Sequence, residues 1–260
     1  MNLISSTLLF TISLFFSEIA ANSVRIIGGS SVKPNEIPFV VSVQSGGVHV
    51  CGGSILNENY VLTAARCVEE SEDLTVVAGE HNLEDDDGNE QKREVAEVKV
   101  HEYYYRNKDK DFGAHDLALL KVAEPFELND RVSKINLPEK KDTYPAGTAL
   151  TAGWGKVGGI LGIPRETDVL HKVEMDIQTQ RKCLEDWDDE ISTNRYICAG
   201  SASKRLCEGD VGGPLAQGNK DEATLVGVAT YGPCGSLGFK NNLFVQVSKY
   251  LDWINEKLEE

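Results

Sequence analysis

Short apolar runs alternate with turn signals from residue 38 to about residue 245 of the chain. The runs are rich in β-branched residues and are separated by Gly, Pro, Asn and Asp. This pattern predicts an all-β protein built from barrels or sandwiches. The clearest predicted strands are Phe39–Val43, Tyr60–Thr63, Leu74–Ala78, Leu117–Val122 and Ala223–Val228.

The last segment of the chain has a different period. From Val247 onward, apolar residues recur at the spacing of a helix, and charged residues lie between them. We therefore expect a C-terminal amphipathic α-helix that docks on the last strands. The apolar face of this helix would consist of Tyr250, Leu251, Ile254 and Leu258.

The first residues predict a secretory signal peptide. Residues Leu3 to Phe16 are mostly apolar, and this run is too short to span a bilayer. The small residue Ala21 suits the position before a cleavage point, which gives a signal peptide over residues 1–21. We expect the mature protein to be soluble, secreted and extracellular.

Cysteine content agrees with that compartment. Six cysteines are present, and an oxidising environment permits disulfides. Their spacing alone leaves the pairing open. No CxxC pair occurs in the sequence, so a zinc site is not expected.

The chain is strongly acidic, with a formal net charge of −15. Such a surface would repel nucleic acid and anionic membranes, so neither is expected as a partner. We expect most of the acids to form a solvated face, and a docking face for a basic protein is the alternative. The acids cluster at Glu69–Asp73, Glu84–Asp87 and Asp186–Glu190.

Several short motifs occur in one order along the chain. They are Arg25–Gly29 (RIIGG), Cys51–Ser54 (CGGS), Leu62–Cys67 (LTAARC), His115–Leu120 (HDLALL), Gly153–Gly155 (GWG) and Cys207–Leu215 (CEGDVGGPL). Their combination over residues 26–258 resembles the chymotrypsin/trypsin family of serine proteases. The resemblance implies two antiparallel six-stranded β-barrels with the active site in the cleft between them. It also implies the disulfides Cys51–Cys67, Cys183–Cys198 and Cys207–Cys234.

The catalytic positions implied by the resemblance have changed. Asp116 stands at the position of the triad aspartate, but Arg66 stands at the base position and Val211 at the nucleophile position. A guanidinium stays protonated and valine carries no oxygen, so neither can do the work of a base or a nucleophile. In a related triad enzyme, loss of either group alone lowers turnover by ~10⁶. We therefore predict that the protein is not an enzyme, that Arg66 pairs with Asp116, and that Gly209 and Val211 keep a remnant of the oxyanion hole.

The specificity pocket implied by the resemblance has changed as well. Arg205 stands at the pocket base, where trypsins carry an acid, so a cationic side chain would meet like charge. Asn242 stands at a wall position that is glycine in the family, whereas Gly232 is kept. We expect a narrowed cleft in which Thr230 and Tyr231 retain the strand that faces substrate. Acceptance of an acidic side chain by Arg205 is the alternative.

The activation switch of the family is retained in the sequence. Residues 22–25 would form a short propeptide before a domain over residues 26–260. Cleavage after Arg25 would free the amino group of Ile26, which would then pair with the buried carboxylate of Asp210.

An acidic loop resembles the calcium loop of trypsins. Oxygen donors at this spacing suit Ca²⁺, so a structural calcium ion is predicted, with a solvated loop as the alternative and no cofactor required. The predicted ligands are Glu80, Asn82, Asp85, Asp87 and Glu90.

Two further groups of residues bear on function. Thr63 or Ser54, with His49 or His115 as base, could build a substitute hydrolase site, although we expect these hydroxyls to have structural roles and His115 to hydrogen-bond locally. Tyr103–Tyr105 open an insertion before the aspartate strand. We expect these tyrosines to be half-buried against the barrel, and exposed anchors for a protein partner are the alternative.

These residues predict a secreted, monomeric pseudoprotease that acts by binding proteins. The chain resembles the inactivated protease paralogues secreted by parasitic mites, which implies interference with host complement or related plasma protease cascades. The alternatives are an unconventional hydrolase that uses substitute residues and a decoy that sequesters protease inhibitors.

Overall fold

The computed structural model describes residues 29–107, 112–158, 164–187, 191, 194–234 and 240–260. The predicted signal peptide, the propeptide and the pair Arg25–Ile26 lie outside the described residues, as do Asp188–Glu190 of the third acidic cluster.

The first half of the chain forms a closed barrel of six antiparallel strands in the order β2-β3-β4-β9-β6-β5. Strands β2 and β4 are buried along nearly their whole length, which explains their continuous apolar sequences. A short hairpin, β7–β8, precedes β9. The strands are β1 (Ser30–Ser31), β2 (Val40–Ser45), β3 (Val48–Asn57), β4 (Tyr60–Thr63), β5 (Leu74–Ala78), β6 (Gln91–Val100), β7 (Tyr105–Asn107), β8 (Phe112–Ala114) and β9 (Ala118–Val122).

The second half forms a seven-stranded antiparallel sheet in the order β1-β13-β10-β15-β16-β17-β14, with a separate β11–β12 hairpin. An isolated bridge pairs Ile177, directly after β13, with Ala199 of β14. The chymotrypsin-like fold is confirmed, but in place of the expected second six-stranded barrel the described residues form a seven-stranded sheet, because β1 pairs with β13. Its strands are β10 (Thr148–Gly153), β11 (Val157–Gly158), β12 (Pro164–Arg165), β13 (His171–Asp176), β14 (Tyr196–Ala199), β15 (Pro214–Gln217), β16 (Thr224–Tyr231) and β17 (Asn242–Gln246).

Two α-helices accompany the sheets in the residues that the structure describes. The predicted C-terminal helix is α2 (Leu251–Glu259), which follows a 3₁₀ turn and buries Leu251, Trp253 and Ile254. The short helix α1 (Gln180–Asp186) was not predicted, and Thr179 caps it by accepting a hydrogen bond from a backbone N–H. None of the helices in the described part of the chain is long and apolar enough to cross a membrane.

Three disulfides fix the segments that carry the candidate site. They are Cys51–Cys67, Cys183–Cys198 and Cys207–Cys234, the pairs implied by the resemblance. The first ties the turn that carries Arg66 to β3, and the third ties the turn that carries Val211 to the end of β16. Disulfides of this kind are typical of proteins in oxidising, extracellular compartments.

Candidate functional site

The three triad positions come together where the barrels meet. Arg66 lies in a 3₁₀ turn directly after β4, Asp116 lies just before β9, and Val211 lies on the turn that leads into β15. The turn of Val211 packs on the first barrel, since its carbonyl accepts a hydrogen bond of 2.8 Å from the backbone N–H of Gly52. The fold therefore brings the three predicted triad positions together.

Arg66 and Asp116 form a buried ion pair at the centre of the site. The Arg66 Nε donates to Asp116 Oδ2 over 2.7 Å, and the Arg66 backbone N–H donates to Oδ1 over 2.9 Å. The hydroxyl of Thr230 also donates to Oδ2. The two side chains are only 7% and 1% exposed, so the carboxylate is saturated by donors and has no free edge for a substrate.

Val211 places an aliphatic side chain where a nucleophile would stand. In the part of the chain that the structure describes, neither the Gly209 N–H nor the Val211 N–H donates a hydrogen bond. These two donors could still bind a carbonyl oxygen or an anion. An oxyanion site without a nucleophile or a base supports binding but not acyl transfer.

Among the described residues the proposed substitute groups form no pair of nucleophile and base. Thr63 and His49 bind other partners, and the buried hydroxyl of Ser54 has no hydrogen-bond partner there. Thr63 donates its hydroxyl to the carbonyl of Gly52 over 2.8 Å inside the first barrel. Ser54 is completely buried in β3. His49 binds Ser42 and Gly209, so it does not stand beside either hydroxyl as a base.

His49 holds the oxyanion turn, a role that the sequence did not reveal. Its Nε2 lies 3.0 Å from the carbonyl oxygen of Gly209, and its Nδ1 lies 2.8 Å from the hydroxyl of Ser42. Burial lowers the pKa of this ring, so the neutral form is favoured. A neutral ring that donates from Nε2 and accepts at Nδ1 satisfies both partners. The only signal in the sequence was its position two residues before Cys51.

Asn242 fills the place of the missing pocket glycine. Its side-chain amide donates to the carbonyls of Ala199 and Lys204 over 2.9 and 3.1 Å, and its oxygen accepts from the Leu206 N–H over 2.7 Å. The residue is completely buried. We call this arrangement the Asn242 latch, because it joins two backbone segments, one at Ala199 and one at residues 204–206, through three hydrogen bonds.

The walls of the pocket touch each other near its mouth. A methyl group placed on Gly232 would lie 2.4 Å from the Leu206 Cβ, which leaves no room for a side chain between the two segments. The ring of Tyr231 packs edge-on against Trp187, with ring centroids 5.2 Å apart. Arg205 is buried, with only 9% of its surface exposed.

Asp210 is a buried carboxyl group beside the Val211 turn. It accepts hydrogen bonds from the backbone N–H groups of Cys207 and Gly155 over 2.8 and 2.9 Å. Burial raises its pKa to about 7, against the effect of the two hydrogen bonds. Ile26, its predicted partner, lies outside the described residues.

The predicted calcium loop fits a metal only in part. Burial and the nearby Glu90 raise the pKa of Glu80 to about 7, so two acids lie close enough to benefit from a cation. Asp87 does not fit, because its carboxylate pairs with Arg131 over 2.9 Å. The carbonyl oxygen of Asn82, another predicted ligand, already accepts a hydrogen bond of 2.9 Å from the backbone N–H of Asp85. Across the described residues, no three His, Cys, Asp or Glu side chains form a metal-binding group, and calcium stays a prediction.

The tyrosine insertion differs from the expectation of half-buried rings. Tyr103 and Tyr105 are 74% and 62% exposed, and only Tyr104 is half-buried. The Tyr104 hydroxyl donates to Glu69 over 3.2 Å, which leaves its neighbours on either side of it facing solvent. The expectation was wrong for two of the three, because the insertion anchors itself through one ring.

His115 also differs from its expected local hydrogen bond. Its ring stacks on His101 at 4.7 Å, and its Nδ1 is buried with no hydrogen-bond partner in the described structure. Tyr250 packs edge-on against this pair and Trp253 packs on His101. Burial, together with the charges of His101 and Arg195, lowers the pKa of His115 to about 4.

This stack should weaken the fold in acid. Because the folded pKa of His115 is about 4 and its ordinary value is 6.5, the unfolded chain binds the extra proton first. The stability that comes from the neutral His115 ring is fully present above pH 6.5 and is lost as the pH falls towards 4. We expect His115→Asn to lose less stability than wild type between pH 7.5 and pH 4.5, measured by urea unfolding. Asn tolerates the positive φ of 54° at this position.

A matched replacement of an unrelated histidine, His81→Asn, serves as the control for this measurement. It should show the same loss of stability in acid as wild type. Equal losses for His115→Asn and wild type would contradict the assignment to the stack.

Comparison with known proteins covers nearly the whole described chain. The family model described as Trypsin matches residues 26–254. Coagulation factor IX of Oryctolagus cuniculus is 32% identical over 234 residues, which are 88% of this chain and 83% of that protein. Coagulation factor IX of Cavia porcellus is 30% identical over 234 residues, with 88% and 80% covered. Trypsin-1 of Astacus astacus is 33% identical over 241 residues, with 88% and 98% covered.

Proposed function

The chain belongs to the trypsin family of chymotrypsin-like serine proteases, and we propose that this member cleaves no peptide bonds and acts by binding other proteins. The observation that carries the proposal is the buried pair of Arg66 and Asp116 beside Val211. A permanently protonated base position and an aliphatic nucleophile position leave two of the three triad roles, base and nucleophile, without a group to perform them.

The substrate side of the cleft supports the same proposal. The Asn242 latch occupies the pocket base, and the contact between Gly232 and Leu206 leaves no space for a substrate side chain. A peptide could therefore lie across the cleft without being anchored for cleavage. Binding through the surface of the fold needs none of the lost groups.

We expect no covalent labelling and no turnover from the purified protein. The mature chain, cleaved after Arg25, is treated with a fluorophosphonate probe and then assayed on casein and a peptide library. An active trypsin, processed in parallel, shows that the probe and substrates work. Mass spectrometry then searches for probe-modified residues.

Labelling that disappears in Thr63→Ala or Ser54→Ala would contradict the proposal and favour the unconventional hydrolase. Activity that remains unchanged in every variant would come from a contaminating protease and would not count against it.

We further propose that the protein is secreted and that its partners are plasma proteins, with complement the first to test. The disulfides and the predicted signal peptide support an extracellular location. The mature chain should reduce complement-dependent lysis of sensitised erythrocytes in plasma. Unchanged lysis would contradict the complement proposal and would leave the loss of catalysis untouched.

A further inference from the structure

A groove of about 500 Å³ lies on the outside of the first barrel, and none of its lining residues belongs to the cleft. It is formed by the segment before β5, by the start of β5 and by the middle of β6. We call it the outer groove. The lining residues that carry the argument are Asp73, Leu74, Glu94, Val95 and Val98.

The floor of the outer groove is apolar. Leu74 and Val95 are half-buried within it, and Val98 is 40% exposed. The next outward residue of β6, Val100, is 38% exposed and extends this apolar surface. Strand β6 pairs with β5 over residues 91–94 and with β9 over residues 95–100. The valine side chains of its second part therefore form the apolar surface beside the start of β5.

The rim of the outer groove is acidic. Asp73 and Glu94 line it, and Glu72 lies beside it, and all three residues are exposed. Over the stretches that the structure describes, none of the three carboxylates has an ion-pair partner. The neighbouring cation Arg106 pairs with Glu69 instead, over 3.5 Å. The rim therefore presents negative charge that the chain itself does not neutralise.

We propose that the outer groove binds a basic segment of a protein partner. An apolar side chain of that segment packs on Val95 and Val98, and flanking Lys or Arg side chains pair with Asp73 and Glu94. The choice of a cationic partner follows from charge complementarity, since the whole chain carries −15 and the rim has no cation of its own. This inference rests on the proposed function and names the class of partner for it.

Two labelled peptides test the groove on the full mature chain. One alternates lysine with leucine, and the other alternates glutamate with leucine at the same length. Fluorescence anisotropy should show binding of the lysine peptide and none of the glutamate peptide. The double variant Asp73→Asn/Glu94→Gln should weaken the binding of the lysine peptide about tenfold, because two exposed ion pairs with the peptide are lost. Asn suits position 73, where φ is 50°.

The variant Val98→Ser tests the apolar floor separately and should weaken the binding of the lysine peptide about threefold. The matched control is Asp130→Asn with Glu139→Gln, which removes the same charge from two exposed positions outside the groove. This control should leave affinity within about twofold of wild type, since distant exposed charges are screened. All these residues are exposed, and circular dichroism confirms that each variant is folded.

Equal weakening by the control and groove pairs would overturn the proposal, because the peptide would then sense only net charge. Absence of binding, or binding of both peptides, would overturn it as well. Each of these failures would leave the missing peptidase activity standing, since that is measured by probe labelling and turnover.

Discussion

The double variant Arg66→His/Val211→Ser should remain a very poor peptidase, even though it regains the side chains of a catalytic triad. The imidazole could take the place of the guanidinium beside Asp116, and the serine would lie on the turn that still offers the N–H groups of Gly209 and residue 211. What the variant lacks is a pocket. The Asn242 latch and the buried Arg205 exclude a Lys or Arg side chain from the position that would align its peptide bond.

The comparison variant adds Asn242→Gly and Arg205→Asp to the double variant. We expect its kcat/KM on an arginyl amide to exceed that of the double variant by up to about 10⁴-fold, the discrimination that a built polar site can provide. The contact of Leu206 with Gly232 remains, so the gain should fall short of a native trypsin. Efficient cleavage after Lys or Arg by the double variant alone would show that the pocket is open.

Cleavage after Arg25 should stabilise the protein by about 4 kcal/mol at pH 8. In the uncleaved chain the pKa of Asp210 is raised to about 7 from 3.8. The stability that comes from keeping this carboxyl protonated is fully present below pH 3.8 and is lost as the pH rises through 7. A gap of about three pKa units corresponds to roughly 4 kcal/mol. The freed ammonium of Ile26 would remove this cost by pairing with the carboxylate.

The measurement compares uncleavable Arg25→Gln with the cleaved wild-type chain in guanidinium unfolding at pH 5 and pH 8. The difference in unfolding free energy should be large at pH 8 and small at pH 5. In an Asp210→Asn background the two forms should become equally stable at both pH values. Equal stability at pH 8 with Asp210 present would show that Ile26 does not reach it.

The sequence predicted the fold better than the details of the site. Alternating short apolar runs are sufficient to predict strands such as β5, because burial on a barrel imposes them. The helix α1 was missed, since a helix of seven residues that buries only Cys183 has too little apolar periodicity to detect. The exposure of Tyr103 and Tyr105 was missed because it depends on where Tyr104 anchors the insertion.

Within the site, the sequence predicted which side chains stand at the key positions better than it predicted the hydrogen bonds that they form. The resemblance places the guanidinium of Arg66 next to the carboxylate of Asp116, so their pairing could be predicted from the residue types at these two positions. The hydrogen bond from His49 to Gly209 joins residues 160 positions apart, and no local pattern encodes it. Likewise, the sequence shows that Asn242 replaces a glycine, but not that its amide finds three backbone partners.

The Asn242 latch has a consequence for recognition by protease inhibitors. Inhibitors that insert a side chain into the pocket of an active protease need an open pocket base. Because the amide of Asn242 bonds to the backbone at that place, we expect such inhibitors to leave this protein unbound.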